Sequence, residues 1–264
     1  MKKIFLPILL IVFFSSCRKV IKLDLKNNEP RYVIEGIITN QNGVCSVLIS
    51  RSKNFYGDNQ FAGISGAQVK VKDNGVEFIL NETSSGIYEN STLNGTPGHV
   101  YELSVSIGNE IFSAISKMPQ PVNLDTLFIS TGPFGQFKFP NINYTDPAGI
   151  NNGYRFVQYV NGIKDPAIFW EDDEFTDGQF ISRQLDSGID REDDPGNIKS
   201  GDAVRIDLLT IDEAVLKFWY TLSTGGAEGG GHLVAPSNPV TNIQGGALGY
   251  FSAHTVSSRT VIAP

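Results

Sequence analysis

The sequence predicts an all-β protein: an N-terminal seven-stranded β-sandwich, then a second β-rich domain with one packed helix. Three observations carry this. From Arg31 onward, short runs rich in Val, Ile and Tyr are broken every roughly eight to twelve residues by Gly, Asn or Asp, the texture of short strands joined by tight turns. Met118-Pro119-Gln120-Pro121 interrupts that texture with two prolines, which lack backbone donors and stiffen a connector. One segment near 212–223 has helical spacing instead.

In the first half the expected strands are Tyr32 to Thr39, Val44 to Arg51, Ala67 to Asp73, Val76 to Asn81, Gly86 to Glu89, Val100 to Ile107 and Glu110 to Ser116. Asp73-Asn74-Gly75 and Gly108-Asn109 mark two hairpins, because Asn and Gly tolerate the positive φ of tight turns. The sandwich is placed at 31–118, a Pro-rich linker at 119–121 and the second domain at 122–264. There β texture resumes at Leu124 to Ser130, Gln136 to Tyr144, Tyr154 to Asn161 and Val204 to Thr210. It closes with Tyr250 to His254 and Thr260 to Ala263. Glu171 to Ser200 and Thr224 to Gly231 read as surface excursions, one acidic and one glycine-rich.

The helix is argued from its start, its stripe and its stop. Asp212 caps the N-terminus, Glu213 suits the positive end of the dipole, and Val215, Leu216, Trp219 and Leu222 recur at helical spacing. Gly225 and Gly226 end it.

The N-terminus carries an address. Lys2 and Lys3 precede an apolar run from Ile4 to Phe14 that is too short to span a bilayer, and Ser15 and Ser16 lead to Cys17. Residues 1–16 read as a bacterial lipoprotein signal peptide, Cys17 as the lipidation site, and 17–30 as a lipidated tether. The length allows two domains of roughly 100–150 residues. The net charge of −7, more acidic once Lys2 and Lys3 are removed, argues against nucleic acid and anionic membrane surfaces as partners. Membrane contact is expected through the lipid alone. With Cys17 lipidated, Cys45 has no disulfide partner, and it reads as a small buried hydrophobe on a strand face with Val47 and Ile49.

Motifs for chemistry are sparse. His99, His232 and His254 are scattered outside any His-Glu-x-x-His spacing and read as surface or loop residues. Ser50-Arg51-Ser52-Lys53 matches Ser-x-x-Lys but lacks its companion signatures. No Gly-x-Ser-x-Gly elbow, phosphate loop or dinucleotide fingerprint occurs, and no catalytic residue is assigned. The sharpest polar constellation is Glu171 to Gly178, whose carboxylates suit a hard cation. It is no EF-hand, since Phe175 and Gln184 stand where ligands belong. Asp172, Asp173 and Asp177 are the calcium candidates, with Asp190 to Asp194 as a second acidic cluster. Phe134, Phe137 and Phe139, or Phe169, Trp170 and Phe175, offer aromatic faces for sugars or peptides, as well as for core packing.

Several segments together carry a family resemblance. The lipoprotein cysteine, Tyr32 to Thr39, Ser50-Arg51-Ser52, Ile64 to Val71, Gly86-Ile87-Tyr88 and Asn242 to Phe251 resemble the Bacteroidota lipoproteins of the domain of unknown function 4249 family. The first domain, with its Glu-Gly strand, Gly-Ala-x-Val-x-Val and Gly-x-Tyr, is similar to carboxypeptidase-regulatory-like (prealbumin-type) sandwiches beside outer-membrane receptors. The resemblance implies an outer-membrane, lipid-anchored, non-enzymatic binding or accessory subunit of a TonB-dependent uptake system. It leaves the periplasmic or cell-surface face open. The alternative is a structural or adhesive envelope protein, and the residues name no ligand.

Overall fold

The computed structural model describes residues 29–53, 61–132, 137–149, 152–186, 197–225 and 237–264. The signal-peptide segment, Cys17, His232, Phe134 and the Asp190 to Asp194 cluster lie outside them. The strands are β1 (Tyr32–Thr39), β2 (Cys45–Arg51), β3 (Gln68–Asp73), β4 (Val76–Ser84), β5 (Ile87–Glu89), β6 (Val100–Ile107), β7 (Glu110–Lys117), β8 (Leu124–Thr131), β9 (Lys138–Thr145), β10 (Gly153–Val160), β11 (Ile163–Lys164), β12 (Phe169–Asp172), β13 (Phe180–Gln184), β14 (Ala203–Ile211) and β15 (Leu248–Ile262), with helix α1 (Glu213–Gly225) between the last two.

All seven strands expected in the first half form, and their turns follow the residues that predicted them. Asn74 and Gly75 take φ of 46° and 88° between paired Asp73 and Val76, the two-residue turn that matches strand twist. Tyr88 is buried, accepting the Ala67 N–H at 3.0 Å and donating to the Ile64 carbonyl at 2.8 Å. Gly86, at φ 75°, lets that corner close: a Cβ there would lie 2.5 Å from the Ile49 carbonyl oxygen. Cys45 packs as expected inside this core, and burial pushes its thiol up to about 12.

The C-terminal strand departs from expectation. Tyr250 to His254 and Thr260 to Ala263 belong to one 15-residue strand, β15. Its first half runs parallel to β1, from Val33↔Leu248 to Thr39↔His254, while its second half runs antiparallel to β14, from Thr210↔Thr255 to Ala203↔Ile262. Among the described residues the large sheet therefore runs β11-β10-β14-β15-β1-β2-β5-β4-β3-β6-β7, with β12 also on β10. Ile243, Ala247, Phe251 and Ala253 pack with Ile34, Val47, Val71, Leu103 and Phe112, so the first core is completed by residues near the C-terminus. The curled end of the sheet is tied back where Ser113 and Gln244 exchange backbone hydrogen bonds of 3.3 and 2.7 Å.

A second core lies between the β10–β14 part of this sheet and a three-stranded sheet, β13-β9-β8. Leu124, Ile142, Tyr144 and Ile181 meet Tyr154, Phe156, Val204, Ile206 and Leu208 across it. The opposite face is covered by α1, whose Val215, Phe218 and Trp219 pack on Val157, Leu209 and Tyr250. Asp212 caps the helix as predicted, its Oδ1 accepting the Val215 N–H at 2.9 Å. Its Oδ2 reaches the first half, accepting from the Ser116 hydroxyl at 2.5 Å and the Lys117 N–H at 3.1 Å, and Ser116 in turn accepts the Ala253 N–H at 2.9 Å.

Three short strands were not expected. β11 follows Asn161-Gly162, whose φ of 51° and 82° make the same turn as Asn74-Gly75. β12 and β13 fall in or beside the stretch read as an acidic excursion, because their charged and polar residues mask the backbone pairing to β10 and β9.

Burial holds the Asp212 carboxyl above the ordinary carboxylate range, with Ser116, Val215 and Lys117 opposing. The native state thus binds this proton more tightly than the unfolded chain, and the stability it contributes falls as pH rises through the raised pKa. Asp212→Asn keeps an acceptor for the cap but loses the two donors from β7. It is expected to lower stability by about 1–3 kcal/mol, more at pH 4 than at pH 7, in urea unfolding followed by circular dichroism. An unchanged urea midpoint would remove the clamp from the account.

Candidate functional site

The excursion between β12 and β13 brings two kinds of side chain together. Asp172 ends β12, and the chain then turns on the Asp173 carbonyl, which accepts the Thr176 and Asp177 N–H groups at 3.1 and 3.0 Å. Gln179 N–H closes the turn on Thr176 at 3.0 Å and its carbonyl accepts the Asp146 N–H at 2.9 Å, so the loop is stitched to the end of β9.

Asp146, Asp173 and Asp177 each offer a carboxylate oxygen, all within 4.8 Å of one another. Of the three sequence candidates, Asp173 and Asp177 are brought together and Asp172 is not: its Oδ1 faces the Glu174 N–H at 3.4 Å. Asp146, which sequence reading missed, supplies the third group from the loop that follows β9. Asp146 accepts the Tyr154 hydroxyl on one oxygen and the Gly178 N–H at 3.1 Å on the other. Asp173 accepts the Asn152 N–H at 2.7 Å, and Asp177 the Gly149 N–H at 2.7 Å. Asp146 and Asp173 are buried, and no Lys, Arg or His pairs with any of the three among the described residues. Burial, aided by the charges of Asp146 and Asp177, raises the Asp173 carboxyl above its ordinary range. An oxygen-only set of this kind suits a hard cation such as calcium.

Beside this triad lies an open cleft with a cavity of about 460 Å³, lined by Phe169, Trp170, Glu171, Asp172, Phe175 and Arg183 among others. The aromatic group read from the sequence is thus assembled in one place. Trp170 is fixed: its Nε1 donates to Ser223 Oγ at 2.9 Å, and its ring meets Tyr220 edge-on at 4.9 Å. Phe175, on the turn, is 81% exposed, an unusual placement for a large apolar ring. Glu171 pairs with Arg183 and accepts the Tyr144 hydroxyl at 3.3 Å. Burial raises the Glu171 carboxyl, with Arg183 opposing. Fixed aromatic faces next to an ion pair can stack on one side of a small ligand and hydrogen-bond its edge.

Of the histidines, His99 sits at a turn and pairs with Asp73 at 2.7 Å. His254 is buried, contrary to the surface reading, because β15 lies inside the sheet and not at its edge. Burial, aided by the Arg155 charge, pushes it down to about 4. Its Nδ1 lies 2.9 Å from Ser252 Oγ, and both side chains are buried within the sheet. Among the described residues no helix is long and apolar enough to cross a membrane.

A family model described as a domain of unknown function (DUF4249) matches residues 18–260. The chain belongs to the DUF4249 family. No curated protein matches this DUF4249 chain. Among solved structures, a crystal structure of a candidate carbohydrate binding protein from Bacteroides uniformis is similar at 10% identity, covering 88% of this chain and 98% of its own. The TM-score of 0.28 is too low for that likeness to bear on fold or ligand.

The raised Asp173 carboxyl sets the sign of a pH effect in this DUF4249 protein. The stability it contributes is present in acid and lost as pH rises through its raised pKa, since the folded state resists ionising a third neighbouring carboxylate. In chelator, Asp173→Asn is expected to match the wild type in acid and to melt roughly 2–4 °C higher at pH 7, read by scanning calorimetry. A lower melting point at pH 7 would mean that Asp173 is stabilised as an anion.

Proposed function

We propose that this protein is a non-enzymatic binding protein of the cell envelope, lipid-anchored at Cys17 in the outer membrane. Its ligand site is the cleft between β12 and β13. The observation that carries the reading is that Phe169, Trp170 and the exposed Phe175 all line this cleft, with Glu171 and Arg183 paired in its wall. Aromatic faces take the C–H faces of a saccharide, while the charged pair and Asp172 take its hydroxyls, so a hydroxyl-rich ligand fits the chemistry best.

Calcium belongs to the same proposal. Held by Asp146, Asp173 and Asp177, it would neutralise two buried carboxylates and fix the turn that carries Phe175. Calorimetry with calcium after chelator treatment is expected to show heat for the wild type and none for Asp146→Asn. Absence of heat at millimolar calcium would end this part of the reading.

The cleft itself is tested by calorimetry with a panel of neutral and acidic oligosaccharides. Phe175→Ala, which removes an exposed ring without opening a core, is expected to weaken binding roughly three- to tenfold. Equal binding by the variant would place the ligand elsewhere.

The wider role, an accessory subunit beside a TonB-dependent receptor, is supported by the family resemblance of the sequence and by the lipoprotein signal at Cys17. A pull-down of the lipidated protein from its native membrane, with mass spectrometry of what stays bound, is expected to recover such a receptor in stoichiometric amount. Recovery of intact lipoprotein alone would shift the reading to a structural or adhesive envelope protein.

A further inference from the structure

Arg155 is a charge without a partner. It points from β10 into the layer between the sheet and α1, and is only 8% exposed. Its guanidinium lies over the Trp219 ring at 3.4 Å, yet its Nε has no hydrogen-bond partner, and it forms no ion pair among the described residues. A stacked ring satisfies the face of a guanidinium and leaves the N–H groups around its edge unanswered.

The surroundings make the missing partner an anion. The register puts Lys164 opposite Tyr159 on β11, one strand over and on the same face as Arg155. Lys164 also forms no ion pair among the described residues, and although the residue is exposed overall, partial loss of solvent together with the Arg155 charge lowers its pKa. On the other side of Tyr159, Arg205 is already answered, stacked on that ring at 4.0 Å and paired with Asp207 at 3.2 Å. The acid in electrostatic range is Glu35, opposite Tyr250 on β1, and it is exposed and makes no ion pair with Arg155. Two unneutralised cations therefore share a face with tyrosines 159 and 250, and exposed Lys164 and Glu35 lie at its margin.

We propose that Arg155 is a carboxylate-binding group, in which an acidic small ligand lays its carboxylate on the guanidinium edge with Lys164 alongside. A planar carboxylate matches the planar fork that Trp219 holds in place. A more highly charged anion would be opposed by Glu35. The site is separate from the β12–β13 cleft and does not depend on it.

The test is a titration of the wild-type protein with sodium glucuronate, with glucose as the neutral control and sodium acetate as the bare carboxylate. It is followed by the thermal shift and by the arginine Nε–H signals in a nitrogen–proton correlation spectrum. Glucuronate is expected to raise the melting temperature and to move one Nε–H signal, the one missing from Arg155→Met, while glucose leaves that signal in place. A response to acetate as well would show that the carboxylate alone is read. Arg155→Met is expected to lose roughly ten- to hundredfold in affinity while keeping or raising the melting temperature without ligand, because it replaces a buried unpaired charge. Lys164→Met weakens binding and Glu35→Gln strengthens it, signs that a purely structural arginine would not produce. The Arg155 Nε–H shift persists in Phe175→Ala, whose loss is confined to the β12–β13 cleft. An Arg155 Nε–H signal that glucuronate does not move, an equal shift of that signal with glucose, or wild-type affinity in Arg155→Met and Lys164→Met would overturn the proposal.

Discussion

Everything in this chain depends on one strand having two neighbours of different origin. β15 lies between β1, the first strand of the described chain, and β14, the last strand before the helix. Its first half completes the core begun by β1 to β7, and its second half, near Val261 and Ala263, packs on the other core. A parallel pairing cannot be closed by a tight turn. The partners here are separated by most of the chain, so the first sandwich has its full core only once the C-terminus arrives. Gly249 permits the approach: at φ 97°, a Cβ there would lie 2.1 Å from the Ile34 carbonyl oxygen.

Asp212 reinforces the same joint with a single carboxylate. It closes the helix N-terminus with one oxygen and holds Ser116 and Lys117 of β7 with the other, and Ser116 passes the connection to β15 through Ala253. Met118 belongs to the first core and Val122 to the second, so the proline pair between them spans a short step between two packed layers. Burying a carboxylate there is tolerated because every near donor is aimed at it.

The polar chemistry sits away from this joint. The triad and the cleft both hang from β12 and β13, short strands at the margins of the two sheets, where an exposed ring such as Phe175 does not disturb a core. Glu171 to Gly178 was legible as a cation-suited segment because five carboxylates fall within seven residues, Glu171 to Asp177. Which of them converge was not legible. A turn on the Asp173 carbonyl sends Asp173 and Asp177 to one side and leaves Asp172 on the other, and Asp146 arrives from just beyond the end of β9, 27 residues earlier than Asp173. Arg155 was silent in the sequence for a related reason. Within Tyr154 to Asn161 it occupies an ordinary alternate position, and only α1 folding over that face turns it into a buried cation.

The sequence by itself determined the local conformations: the all-β class, the seven first-half strands, the Asn74-Gly75 turn, the capped helix and the burial of Cys45. These follow from period, propensity and φ, which are properties of neighbouring residues. Tertiary structure decided the pairing of β15 with β1, the burial of His254 and Arg155, and the membership of the aspartate triad. Each of those joins residues far apart in the chain, where backbone hydrogen bonds and burial, and no local pattern, choose the partner.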